Sequence, residues 1–332
     1  MEIIILGFLS TFVGVLLGKY KLIPAKFPKL LGRSLYRYGL PLQIFAIARK
    51  TTFNGDVWFP PLITIFVLLL GLVLANLNLV YGKKLSHVIL TEDIRKILFY
   101  RFNYRVEEVN LKIPQHRSGK GSFLLASTLG STGYLGLSIV PIFVSSVYSG
   151  WAVLYSVTQI LFGSFGMGVL LANYYGSSRQ QINWSIQLQE LLKVPALWGF
   201  LIGCYCRGID FPVVIDWGLK LGILLAISSA FLLTGIQIQG INRTSCFNWA
   251  IIPTSLKMLL IPGLTGLCLT LFGVTGDARL TMVLMSGMPT ANTNLILAEE
   301  YNLDRQVTAS TIALSTILLP VTISIWKLLL DF

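Results

Sequence analysis

The chain has few charged residues, few histidines and few cysteines for its length. Only 12% of its 332 residues are charged, whereas soluble domains carry roughly 25%. The two histidines and four cysteines show no spacing typical of a metal site, so we expect no metal. This composition leaves no room for a large soluble domain.

Motifs of common enzyme classes are also missing. The sequence has no GxxxxGK[ST] phosphate-binding loop, so ATP-driven pumping is not supported. It has no HExxH pair, no nucleophile elbow and no paired catalytic carboxylates. We therefore expect a protein that is not an enzyme and that holds no cofactor.

What is present is apolar sequence, at 54% hydrophobic residues and a mean hydropathy of +0.73. At about 20 residues per span, the length accommodates about ten transmembrane helices. The predicted spans cover residues 3–19, 31–50, 58–82, 119–144, 150–175, 188–206, 212–240, 248–273, 279–300 and 306–330. The first lacks a basic n-region and is interpreted as a retained span rather than a cleaved signal peptide.

The net charge of +12 arises mostly from Lys and Arg between the apolar segments. That distribution is typical of membrane topology and argues against nucleic-acid binding. The basic residues concentrate after spans one and three, which predicts that these loops are cytoplasmic and that both termini lie outside. The predicted location is the plasma (inner) membrane.

The loop 83–118 is the only sizeable hydrophilic stretch. Within it, Thr91 begins a predicted amphipathic helix with acidic residues in its first turn. Such a helix is suited either to an anionic membrane surface or to capping the cytoplasmic face of the bundle.

Weak internal similarity divides the spans into five plus five. Five is odd, so the second half is predicted to be inverted relative to the first, as in many secondary transporters. The predicted repeats are 1–175 and 176–332. Prolines within spans predict several helix breaks: Pro41, Pro141, Pro195, Pro253, Pro262, Pro289 and Pro320.

The matched stretches 128–138 and 285–295 are both interrupted by glycine, proline and polar residues. Each break frees a half-helix N-terminus, which attracts anions. The candidate substrate-binding residues are Ser131, Thr132, Tyr134, Thr290, Asn292, Thr293 and Asn294. The candidate break and crossing residues are Gly133, Gly136, Pro141 and Pro289.

For each of these polar residues, the alternative role is to hold helices together by hydrogen bonds. Lys257 is a further candidate because a charge inside a span is costly. It is interpreted as a holder of a substrate carboxylate or as a movable cation. Nothing acidic lies in either interrupted stretch, which favours an anionic solute.

Several stretches resemble the auxin efflux carrier family, which includes the plant PIN-FORMED and PIN-like carriers. TLGSTGYLGLSIVP (128–141) is similar to the family's fourth-span motif, and LLKVPALWGFLIG (191–203) to the opening of its sixth span. SSAFLLTGIQIQG (228–240) is similar to the end of the seventh span. The stretch 288–323 is similar to the last two spans.

This resemblance implies ten helices in two inverted five-helix repeats, with spans four and nine crossing at their breaks. It implies carriage of small organic anions such as auxin or dicarboxylates. It also implies that asparagines at the crossing contact the substrate carboxylate, a role that Asn292 or Asn294 can inherit. Ser131 and Tyr134 stand where the family has asparagine in span four.

The sequence thus predicts an all-α secondary transporter that moves a small organic anion across the bilayer by alternating access. One alternative is a sodium-coupled anion symporter of the bile-acid type. The other is a channel or receptor-like membrane protein. Proton coupling and a homodimer are further expectations that the sequence leaves open.

Overall fold

The computed structural model describes residues 2–20, 22–24, 26–51, 56–89, 114–177, 189, 192–239 and 243–330. These residues are almost entirely helical, which confirms the predicted all-α class. Among them, the only β-type pairing is an isolated antiparallel bridge between Gly130 and Thr290.

The helices are numbered in chain order, with a and b for the two halves of an interrupted helix. Pieces joined directly through a π-helical segment share one number. The helices are α1 (Glu2–Lys19), α2 (Phe27–Ser34, Leu35–Gly39 and Leu40–Lys50), α3 (Phe59–Ile89), α4a (Arg117–Thr128), α4b (Thr132–Gly136 and Leu137–Phe143), α5 (Ser146–Thr158, Gln159–Gly168 and Val169–Tyr175), α6 (Pro195–Tyr205), α7 (Val213–Gln239), α8 (Arg243–Ser255, Leu256–Leu260 and Ile261–Leu271), α9a (Gly276–Ser286), α9b (Thr293–Glu300) and α10 (Arg305–Leu330).

In the described part of the chain, five helices are long and apolar enough to cross a membrane. They are α3, α5, α7, α8 and α10, which correspond to predicted spans three, five, seven, eight and ten. Shorter apolar helices occur in α1, α4b and α6. Membrane crossing at the other five predicted spans stays a prediction, as does the orientation with both termini outside.

Most of the prolines predicted to break a span lie inside a helix or in its first turn, so that prediction is wrong for them. They are Pro41, Pro141, Pro253, Pro262 and Pro320. Pro195 is the first residue of α6 and follows the extended residue Val194, so the helix of predicted span six is interrupted there. The π-helical segments Leu35–Gly39 and Leu256–Leu260 end just before Pro41 and Pro262. Such local π adjustments and neighbouring helices accommodate the missing donor and the bulk of a proline ring.

Helices α1, α2, α6 and α7 form one group, which is held together by close backbone contacts. A Cβ on Gly14 of α1 would lie 2.3 Å from a carbonyl oxygen of α7, and one on Gly235 of α7 would lie 2.1 Å from a carbonyl oxygen of α1. Gly199 and Gly203 form a GxxxG pair against the backbone of α2. Small residues at such contacts let membrane helices pack closely.

Helices α3, α4a, α4b, α5, α8, α9a, α9b and α10 form the second group. Every residue of 121–130 and of 278–291 is buried, so most of α4a and most of α9a are covered on all sides. A helix covered all round lies at the centre of a bundle. The two interrupted helices are therefore the core of this second group.

The predicted amphipathic helix of the 83–118 loop falls on residues 90–113, which lie outside the described residues. Helix α3 continues to Ile89, while its apolar span ends at Gly82, as the predicted span three does. Basic Lys83 and Lys84 prolong this helix beyond its apolar part. The division into repeats at 1–175 and 176–332 stays a prediction.

Candidate functional site

The two interrupted helices meet at their breaks. The backbone N–H of Ser131 donates to the Pro289 carbonyl at 2.6 Å, and that of Ala291 donates to the Leu129 carbonyl at 3.0 Å. Gly130 and Thr290 face each other between these two bonds. This short antiparallel pairing satisfies backbone groups that the breaks would otherwise leave unpaired inside an apolar bundle.

The two breaks have different local causes. In α9, Pro289 removes a donor and disfavours helical geometry at the residue before it. The α4 break has no proline at the interruption, and its critical residue is Gly130. A Cβ there would lie 3.0 Å from the Met288 carbonyl oxygen and 2.8 Å from Cε of Lys257. The close approach of the two chains therefore requires glycine at this position.

Thr290 and Asn294 bond across the crossing to the end of α4a. Thr290 Oγ1 donates to the Ala126 carbonyl at 2.8 Å, and its backbone N–H donates to Ser315 Oγ at 3.2 Å. Asn294 Nδ2 donates to the carbonyls of Leu125 (3.1 Å) and Leu129 (3.3 Å). The last carbonyls of a helix can lack partners within that helix, and Thr290 supplies one for Ala126. Asn294 adds a second donor to two carbonyls that already accept from the backbone N–H groups of Leu129 and Ala291.

Thr290 is 2% exposed and Asn294 is fully buried, so both lie inside the packed crossing. The two carbonyl acceptors fix the orientation of the Asn294 amide, because only its NH₂ group can face them. Its Oδ1 has no hydrogen-bond partner among the described residues.

Ser131, Tyr134, Asn292 and Thr293 lie at the N-terminal ends of α4b and α9b and are half-buried. Ser131 and Asn292 are the residues that cap these two helices, and neither makes a side-chain capping bond. Asn292 Nδ2 lies 3.5 Å from Thr234 Oγ1 of α7. These side chains thus remain available for further polar contacts.

Several hydroxyls here have no hydrogen-bond partner among the described residues. They belong to Thr132, Tyr134 and Thr293. Tyr134 packs against Ala226, Ala230 and Leu233 of α7, on the helical face that also presents Thr234 to Asn292. The N-terminal ends of both second halves therefore face the four-helix group.

The remaining predicted crossing residues lie beyond the α4 interruption. A Cβ on Gly133 would lie 2.6 Å from Leu40 Cδ1, and one on Gly136 would lie 2.9 Å from Met285 Sδ. Pro141 lies inside α4b, two residues before its end. These three residues shape the packing of α4b, while the interruption itself lies at 129–131.

Lys257 and Gln159 flank the crossing from α8 and α5. Lys257 is fully buried and its Nζ donates to the Ser286 carbonyl at 2.9 Å. Gln159 Nε2 donates to the Gly130 carbonyl. Sequence reasoning missed Ser315 and Thr234, whose signal was a polar hydroxyl within an otherwise apolar span.

No group of three or more His, Cys, Asp or Glu side chains is placed to hold a metal ion within the part of the chain that the structure describes. The chemistry at the crossing therefore consists of hydroxyls, amides, backbone groups and one lysine.

Comparison with known proteins points to transport. An uncharacterized transporter of the archaeon Methanothermobacter thermautotrophicus is 25% identical to this chain over 216 residues, which is 62% of the chain and 67% of that protein. No protein-family model matches the chain. Together with helices long and apolar enough to span a membrane, this similarity supports a membrane transporter.

Proposed function

We propose that the protein is a secondary transporter of the auxin efflux carrier type, which moves a small organic anion by alternating access. The observation that carries this proposal is the crossing of two interrupted helices in the core of the bundle. A broken helix exposes polar backbone, and within a membrane such backbone is tolerated where it is buried in protein or lines a cavity. The similarity to a transporter supports the same function.

An anionic substrate follows from the electrostatics of the two second halves. The N-termini of α4b and α9b carry partial positive charge and lie beside the hydroxyls of Thr132, Tyr134 and Thr293, which have no partner among the described residues. No Asp or Glu occurs in residues 109–189 or 278–298, so these N-termini have no acidic side chain of their own nearby in sequence. A substrate carboxylate would supply the missing negative charge.

The predicted contact residues divide into two roles under this proposal. Ser131, Tyr134, Asn292 and Thr293 are half-buried and would contact the substrate directly. Thr290, Asn294 and Thr132 are buried, and they would hold the geometry in which those contacts are made. The family's asparagine role then falls on Asn292.

Alternating access would use the two helix groups. Both breaks belong to the second group, while Thr234 and the face that packs on Tyr134 belong to α7 of the first. A substrate at this boundary is released to one side or the other when the groups move relative to each other. We place the protein in the plasma (inner) membrane, with both termini outside.

The deciding experiment is counterflow in proteoliposomes. Proteoliposomes that are preloaded with an unlabelled carboxylate should take up the labelled compound in exchange, and the rate of this uptake should saturate. A channel would show no such exchange. Tests with indole acids, monocarboxylates and dicarboxylates would identify the substrate class.

The sodium-coupled alternative is tested by replacing external sodium with choline. Our proposal expects an unchanged rate, because neither interrupted stretch offers a carboxylate to a sodium ion. Uptake that requires sodium would favour the bile-acid type symporter. A pH gradient imposed in the same vesicles tests proton coupling.

A further inference from the structure

Lys257 is a buried lysine at the centre of the crossing. It lies in the π-helical segment Leu256–Leu260 of α8 and is fully buried. Its Nζ lies 2.9 Å from the carbonyl oxygen of Ser286, the last residue of α9a. A Cβ on Gly130, two residues past the end of α4a, would lie 3.1 Å from the same nitrogen.

Among the residues that the structure describes, no carboxylate pairs with this lysine. The sequence has no Asp or Glu in residues 57–91, 109–189, 217–276, 278–298 or 305–330, which include nearly all of the described second group. Asp277 lies in the first turn of α9a, nine residues before Ser286, and is therefore about 14 Å away along the helix. The negative charge near Lys257 comes instead from helix ends.

Helices α4a and α9a both end at the crossing, so their C-terminal partial negative charges converge there. Asn294 and Thr290 satisfy carbonyls of α4a, and Lys257 satisfies the last carbonyl of α9a. A lysine near a helix C-terminus is stabilising because its charge opposes that of the helix dipole. Gly130 permits this approach because it has no side chain.

We propose that Lys257 is the fixed counter-charge of the two converging helix C-termini, a positioning residue that holds the crossing together whether or not substrate is bound. It is distinct from the substrate contacts, which lie at the half-buried N-terminal ends of α4b and α9b. The inference rests on the proposed function only in that the crossing it stabilises is the proposed transport site.

The test replaces Lys257 with Met, which keeps its length, and with Ala, which leaves a cavity. The matched control is Lys220→Met, because Lys220 lies in α7 but is exposed. The thermal midpoint of the purified protein without substrate should fall in both Lys257 variants and stay unchanged in the control. Counterflow should fall by about tenfold or more in both.

Chemical rescue separates charge from packing. Propylammonium added to Lys257→Ala should restore the thermal midpoint, whereas propanol of similar size should not. If this variant folds poorly, each compound is added during solubilisation and the yield of monodisperse protein is compared instead. Equal rescue by the two compounds would overturn the inference.

A wild-type midpoint in Lys257→Met would also overturn it, and loss of substrate binding alone would then mark Lys257 as a substrate ligand. The midpoint needs no substrate, so it tests Lys257 even if no anion is transported. Absence of anion transport in the wild-type protein, with a lowered midpoint in the Lys257 variants, would refute the proposed function and leave this inference standing.

Discussion

The two breaks reach one backbone pairing by different chemistry. The α9 break contains Pro289 and sends Thr290 and Asn294 across to carbonyls of α4a. The α4 break contributes those carbonyls and a glycine at the point of closest approach. The α9 side thus supplies most of the hydrogen-bond donors at the crossing, and the α4 side supplies most of the acceptors. Polar residues on the two sides are therefore not equivalent, even though the stretches look alike in sequence.

This asymmetry alters the interpretation of the candidate site. The α4 side lacks the asparagines expected from the family resemblance, but it presents Ser131 and Tyr134 with polar groups that the crossing does not use. The asparagine-rich α9 side commits Asn294 to structure and leaves Asn292 half-buried. We therefore expect variants of the residues that hold the crossing together to lose stability, and variants of the half-buried residues to lose transport with little loss of stability.

Gly130→Ala should have the largest effect. Its Cβ would crowd both the Met288 carbonyl and Lys257, and overpacking of this kind costs about 1–3 kcal/mol or more. We expect a lower thermal midpoint and loss of counterflow. The control is Gly218→Ala in α7, where a Cβ meets nothing within 4 Å. Equal midpoints for the two variants would show that the close approach at the crossing is not required.

Asn294→Ala should rank second, with a cost in unfolding free energy of about 1–3 kcal/mol. The reason is that it removes two buried hydrogen bonds, after which the Leu125 and Leu129 carbonyls keep only the backbone N–H groups of Leu129 and Ala291 as donors. Asn292→Ala is the matched variant and should leave the midpoint nearly unchanged while it reduces counterflow. Thermal unfolding and counterflow measured on both proteins check this split. The reverse pattern would mean that the roles of the two asparagines are exchanged.

Tyr134→Phe should leave stability unchanged and weaken substrate affinity, by about tenfold if its hydroxyl bonds the carboxylate. Its hydroxyl has no partner among the described residues, so the fold loses no bond there. Tyr155→Phe is the control, because that hydroxyl also lacks a described partner but the residue is fully buried. A raised KM in both variants would argue against direct contact by Tyr134.

Pro289→Ala should have the smallest effect, under about 1 kcal/mol, mainly through greater freedom of the unfolded chain. The contribution of Pro289 to the pairing is its carbonyl, which alanine keeps. Pro289 favours the α9 break locally, but the α4 break forms without a proline, so we expect the backbone pairing between the two breaks to hold the α9 break in the variant as well. A midpoint loss as large as that of Gly130→Ala would contradict this.

The helical class and the approximate limits of most helices could be predicted, because apolar runs of this length have few other structures available. The roles of individual polar residues could not be predicted. Asn294 and the carbonyl of Leu125 are 169 positions apart, and only the folded structure makes them partners. The break at Pro289 was predicted, whereas most of the other span prolines lie inside helices, because π-helical turns and neighbouring helices accommodate the missing donor. Lys257 was recognised as unusual, while its bond to Ser286 depends on tertiary packing.

The most direct test of the central claim is ligand binding by thermal shift on the wild-type protein and on the double variant Tyr134→Phe/Asn292→Ala. A carboxylate that binds only the folded state raises the midpoint. We predict that a small carboxylate raises the thermal midpoint of the wild-type protein and that its uncharged methyl ester does not. The double variant should show no such rise with the carboxylate, while its midpoint without ligand should equal that of the wild-type protein. An equal response to the ester, or a full response in the double variant, would contradict an anion site at the N-terminal ends of α4b and α9b.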